Sequence, residues 1–129
     1  LGDKRSKEGA YVWQSFFLLC VVVNNGTDVP VEDEDPIACY YASVTRKLKD
    51  GSVFYPEQKM TREQALYSYT MANAYAAFQE KEKGSLEKGK YADITILSKN
   101  LISCADDEIK DTKVMMTIVG GKVKYKKAD

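Results

Sequence analysis

The chain has 129 residues, enough for one domain whose core needs neither disulfides nor a structural metal. Hydrophobic residues make up 44% and charged residues 29%, which excludes wholesale disorder; Lys plus Arg balances Asp plus Glu at 19 each, which removes any long-range pull toward nucleic acid or an anionic membrane. There is no histidine, so a Ser-His-Asp triad, a Cys-His pair and a histidine-based zinc site are all excluded within this chain.

In chain order, residues 9–20 read as a helix end, with Trp13, Phe16, Phe17 and Cys20 at spacings of three and four. The β-branched run Val21 to Val23 reads as a buried parallel strand. A polar loop, Asn24 to Asp28, follows it. In α/β sheets, loops at the carboxyl end of a strand are where ligands bind. After an acidic run from Glu32, Asp35-Pro36 is a helix start, Asp as cap and Pro in the first turn. Ile37, Tyr40, Tyr41, Val44 and Leu48 then form an apolar face, which a turn at Lys49 to Ser52 ends. Tyr55 to Gln58 reads as extended.

Thr61-Arg62-Glu63-Gln64 is a capping box, and the helix behind it is expected to run to about Gln79 with Leu66, Tyr69, Ala72 and Ala76 facing inward. Gly84 breaks it. Residues 91–97, 114–119 and 122–125 read as strands, with Gly120-Gly121 as a two-residue hairpin turn and a short turn or helix near Asp106 to Ile109. The chain thus divides into a helical part, 1–83, and a strand-rich part, 84–129. The three cysteines, Cys20, Cys39 and Cys104, do not form a disulfide framework, so a reducing, cytoplasmic setting is expected. No secretory signal is evident, and the longest apolar run, Phe16 to Val23, is too short to span a bilayer.

Five segments, in order, carry a family resemblance. Gly26-Thr27-Asp28-Val29-Pro30-Val31-Glu32, followed by Asp35-Pro36, resembles the Gly-Ser-Asp-x-Pro-Val-Glu segment of the amidohydrolase superfamily, in the subgroup that includes N-substituted formamide deformylases. Tyr11 to Ser15 resembles its Tyr-x-Trp-x-Ser helix, and Ala42 to Arg46 its Ala-x-Val-Thr-Arg helix. Thr61 to Phe78 resembles a third helix, and Gly84 to Ile94 the Gly-Ser-x-x-x-Gly-Lys-x-Ala-Asp signature near the C-terminus. The closing residues 117–125 match as well.

The resemblance implies a fold and a chemistry. The fold is a (β/α)8 barrel with a small composite β-sandwich built from both chain ends. Val21 to Val23 would be the eighth barrel strand, residues 1–83 the last βα unit with its flanking helices, and 84–129 the C-terminal strands of the sandwich. The chemistry is hydrolysis of amide or cyclic amide C–N bonds in small molecules by a water activated on a divalent metal, zinc by family habit. The carboxylate that takes the proton and touches the metal maps to Asp28. Read as plain composition, Asp28 is an ordinary turn residue. The family's histidine ligands have no counterpart here, so the chain alone is expected to hold no metal and to be inactive.

Several departures and alternatives accompany this reading. Thr27 replaces a Ser, Asn24-Asn25 replaces a more apolar pair, and Asn73 sits one place after the family's usual helix Asn. Arg46 is a candidate to hold a substrate carboxylate or to face solvent. Tyr67, Tyr69 and Tyr75 are candidates for a pocket wall or for core. The alternative function is a non-catalytic α/β domain that self-associates or binds a partner, and homo-oligomerisation is expected in either case because a partial barrel leaves apolar faces uncovered.

Overall fold

The computed structural model describes residues 2–31 and 33–128. Five short helices come first: α1 (Asp3–Gly9), α2 (Trp13–Leu18), α3 (Pro36–Thr45), α4 (Arg62–Tyr69) and α5 (Met71–Ala76). Three strands follow: β1 (Ile94–Leu97), β2 (Val114–Val119) and β3 (Lys122–Lys126). They form one antiparallel sheet in the order β1-β2-β3. None of the described helices is long and apolar enough to cross a membrane.

The helix starts are set by local chemistry. The Asp35 carboxylate accepts hydrogen bonds from the N–H groups of Ile37 (2.9 Å) and Ala38 (3.3 Å), and Pro36 fills the first turn of α3, where an N–H has no helical partner. At α4 the capping box is complete. The Gln64 amide N–H donates to Thr61 Oγ1 at 3.1 Å, and the Thr61 N–H donates back to Gln64 Oε1 at 2.8 Å.

The core lies between α3, α4 and the connector that runs from β1 to β2. Tyr40, Val44, Met60, Ala65, Leu101 and Ile109 form it. The connector holds a 3-10 turn at Asp106–Asp111, near the turn expected there. Arg62 clamps it: its guanidinium donates to the carbonyls of Leu101 and Cys104 and pairs with the Asp106 carboxylate. Tyr40 Oη donates toward the carbonyls of Arg62 (3.1 Å) and Leu101 (3.3 Å), which satisfies a buried hydroxyl.

Ile94 faces Ile118 and Ile96 faces Met116 in the first ladder; Thr117 faces Tyr125 and Val119 faces Lys122 in the second. Gly120 and Gly121 both have positive φ, +55° and +75°, as a two-residue hairpin turn of right-handed twist demands. Gly84 also has positive φ, +97°, and lies so close to α5 that a Cβ there would sit 2.7 Å from Ala74 Cβ.

Four expectations need correction. Residues 21–23 form no strand in this structure, and Val21 and Val22 are exposed. A parallel strand exists only through its ladder, and among the described residues no other strand lies beside these. The expected long helix is two, α4 and α5, broken at Thr70 (φ −124°, ψ −90°). Its inward residues are Ala65, Ser68, Ala72 and Ala74, while Leu66 and Ala76 are exposed. Residues Pro56–Gln58 form a 3-10 turn rather than an extended segment, with the proline fixing φ for the first turn position. Helix α3 stops at Thr45 rather than at Leu48, because Arg46 turns to the left-handed region (φ +59°). Within the acidic run, Glu32 lies outside the described residues.

Candidate functional site

Asp28 ends the loop that leaves α2. Its backbone is left-handed (φ +56°), a conformation Asp tolerates better than most residues, and its carbonyl accepts from the Val31 N–H at 2.9 Å. The residue is exposed. Three residues earlier the same loop is firmly held. The Asn25 N–H donates to the Ser68 carbonyl (3.0 Å), its side-chain amide donates to Ser68 Oγ (3.1 Å), and its carbonyl accepts from Asn73 Nδ2 (3.0 Å).

Asp28 opens onto a cavity of about 1040 Å³. Asn25, Gly26 and Thr27 line it beside Asp28, as do Asp33 and Asp35. Cys39, Ser43 and Tyr69 line another part, and Arg46 and Trp13 another. Asp35 is committed to the α3 cap, which leaves Asp28 and Asp33 as the acids of this loop region whose carboxylates are not used by a helix end. Burial raises the Tyr69 hydroxyl well above the usual phenol range, helped by the nearby Cys39. Tyr69 is therefore a neutral hydrogen-bonding wall of the cavity, not a base. A smaller hollow of about 380 Å³ lies against Phe17, Val21 to Val23 and Tyr67, and Asp28 does not line it.

Arg46 does not face solvent. It is 4% exposed. Its Nε donates to the Phe54 carbonyl (2.7 Å), its Nη1 donates to the Tyr11 carbonyl (3.2 Å), and the guanidinium lies over the rings of Trp13 and Phe54. It fastens the N-terminal segment to the end of α3. Tyr67 and Tyr75 are exposed, so of the three tyrosines only Tyr69 joins the cavity wall.

Sequence reading missed Asn25, Ser43, Ser68 and Asn73. One signal was available: Ser43 and Ser68 are small polar residues within apolar helix stripes, and a buried hydroxyl there needs partners.

The model of the amidohydrolase family of the Amidohydro_3 type matches residues 20–125. The chain belongs to the amidohydrolase family. It is 30% identical to an N-substituted formamide deformylase of Arthrobacter pascens over 107 residues, which cover 83% of this chain and 20% of that protein. It is 34% identical to Protein LONG AFTER FAR-RED 3 of Arabidopsis thaliana over 128 residues, 97% of this chain and 21% of that protein. The fold is that of part of an amidohydrolase from Thermotoga maritima MSB8, with a TM-score of 0.69 at 16% identity over 91% of this chain and 26% of that one. The chain thus spans about a fifth of the length of these two curated relatives.

The family implies a divalent metal, and the donors present do not make a site for one. The sequence has no histidine, and among the described residues no group of three Cys, Asp or Glu side chains converges. A cation needs several such ligands around it at once. Asp28 is one donor, and no step through a metal follows from this chain's residues.

Proposed function

We propose that this chain acts as the part of a longer amidohydrolase that carries the loop after the last barrel strand. Asp28 is its contribution to the reaction. The Asp28 carboxylate takes a proton from the water that attacks the carbonyl carbon of a small amide or cyclic amide, and passes it to the nitrogen, which leaves as an amine as the C–N bond breaks. The observation that carries this reading is that Asp28 is an exposed carboxylate at the mouth of a large cavity, on a loop pinned to the helices within the family-matched region. Residues 1–83 are the last βα unit of a (β/α)8 barrel, and 84–129 the C-terminal strands of a composite sandwich. The β-branched run Val21 to Val23, in which Val21 and Val22 are exposed, supports the barrel reading, since it has the composition of a buried strand and gains a ladder only from neighbours outside this chain. A divalent metal, zinc by family resemblance, would need ligands from outside this chain beside Asp28.

The test is to express in full the open reading frame that encodes this chain and to assay it on N-substituted formamides and cyclic amides. Asp28→Asn should leave the fold intact, because the side chain is exposed, and lower kcat by roughly 100-fold or more. Unchanged kcat, or a reading frame that adds nothing to these residues, overturns the proposal.

A second reading, a self-associating domain, rests on the exposed apolar residues Leu18, Leu19 and Phe78, which are 84%, 74% and 93% exposed. It makes the chain a homo-oligomer in solution. Light scattering that shows a monomer at high concentration counts against it.

A further inference from the structure

The structure assigns Asn25, Ser68 and Asn73 as positioning residues that fix where the Asp28 carboxylate stands, an inference whose catalytic meaning rests on the reading of Asp28 above.

Two serine protons are already committed. Ser43 Oγ donates to the Cys39 carbonyl (2.9 Å), and Ser68 Oγ donates to the Ala65 carbonyl (2.7 Å). Each hydroxyl has one proton, so each oxygen is left as an acceptor. Both acceptors face one group, the side-chain amide of Asn25, at 3.5 Å from Ser43 and 3.1 Å from Ser68. Only a donor suits that place. Asparagine supplies it, and aspartate would set oxygen against oxygen.

The backbone of Asn25 is held as well. Its N–H donates to the Ser68 carbonyl and its C=O accepts from Asn73 Nδ2, both at 3.0 Å. The carbonyl of Ser68 is free for this because α4 ends one residue later, at the Thr70 break. The same break explains Asn73. Five residues separate it from Ser68, and on a continuous α-helix they would point about 140° apart. The kink at Thr70 swings α5 so that both meet one loop residue. Asn73 therefore stands one position later than a straight helix would require, and still reaches the loop.

Asp28 lies three residues beyond this anchor. Among the described residues its carboxylate has no side-chain partner of its own, so its place is set by the backbone between Asn25 and the bond from Val31 N–H to the Asp28 carbonyl. The loop thus leaves one fixed point, made by three helices, and the local turn from Asp28 to Val31 holds its shape three residues on.

The test is NMR on the full chain, labelled with 15N and 13C. In Asn73→Ala the Asn25 amide should exchange with solvent roughly tenfold faster, and the side-chain carboxyl resonance of Asp28 should shift at fixed pH. Tyr75→Ala, on the same helix with an exposed side chain, should change neither. If Asn73→Ala does not fold, the isosteric Asn73→Asp carries the test, since it keeps the volume and removes the donor. A folded variant in which the Asp28 carboxyl signal stays as in the parent overturns the inference. The two ideas fail separately: retained hydrolysis in Asp28→Asn sinks the functional reading, whereas the loop measurements decide the positioning with no assay of activity.

Discussion

The Arg46 guanidinium carbon lies 4.7 Å from the centre of the Trp13 ring. That contact joins a side chain at the end of α3 to the start of α2, and the Tyr11 carbonyl completes the link with a hydrogen bond at 3.2 Å. Burial lowers the arginine's pKa, with Glu57 opposing, yet leaves it a cation at any ordinary pH. Arg46→Ala should therefore cost about 3 kcal/mol, from lost ring contacts and two orphaned carbonyls. Arg46→Lys should recover only part of this, because an ammonium cannot reach both carbonyls and stack on two rings at once. Urea unfolding of the three proteins checks both values; equal midpoints for parent and Lys variant would contradict the argument.

The capping box of α4 makes a second prediction. Gln64 Oε1 accepts from the Thr61 N–H, and also from Gln14 Nε2 at 2.9 Å. One glutamine thus caps α4 and docks α2. Thr61→Ala should cost about 1 kcal/mol, the usual worth of a lost N-cap. Gln64→Ala should cost more, because it also releases Gln14. Gln64→Glu should be close to neutral, since both of its oxygens still accept. A chemical-denaturation series in which Thr61→Ala proves the most damaging of the three would reverse this ranking.

These caps were readable from sequence because their partners lie within three residues of one another. The hairpin at Gly120-Gly121 was readable for the same reason. The anchor of the Asp28 loop was not. Asn25 meets Ser43, Ser68 and Asn73 across 18, 43 and 48 residues, and no local pattern marks such meetings. Val21 to Val23 show the opposite failure. Their composition is that of a strand, but a strand is a relation between segments, and this chain offers them no partner. Asp28 stood out in the sequence only because of the motif around it; the structure adds that it sits exposed at a cavity mouth.

Gly84 closes the link from α5 to the strand-rich part. A methyl group added there would lie 2.7 Å from Ala74 Cβ and 3.0 Å from Met71 Sδ, on a backbone with φ of +97°. Both the clash and the dihedral oppose any side chain. Gly84→Ala should destabilise by about 3 kcal/mol. The paired variant Gly84→Ala with Ala74→Gly should recover the steric part and leave the dihedral part. Thermal unfolding of the single and double variants separates the two causes, and no recovery in the double would show that the clash does not matter.

The last prediction concerns alkaline pH. An unfolded tyrosine ionises near pH 10. Burial raises the folded Tyr69 hydroxyl above that, and burial also raises Tyr40 against the pull of Arg62. Below about pH 10 both states keep the Tyr69 proton, so its contribution to stability is constant there. Above that pH the unfolded chain has lost a proton that the folded chain still holds. Folding then binds protons, and stability must fall as the pH rises. Tyr69→Phe removes one such group and should flatten the decline, while Tyr40 keeps it from vanishing. Urea midpoints between pH 8 and pH 11 are the measurement. A parent midpoint that stays level across this range, or an equal slope in Tyr69→Phe, would mean that the Tyr69 hydroxyl titrates freely in the folded chain and that this wall of the cavity is open to solvent.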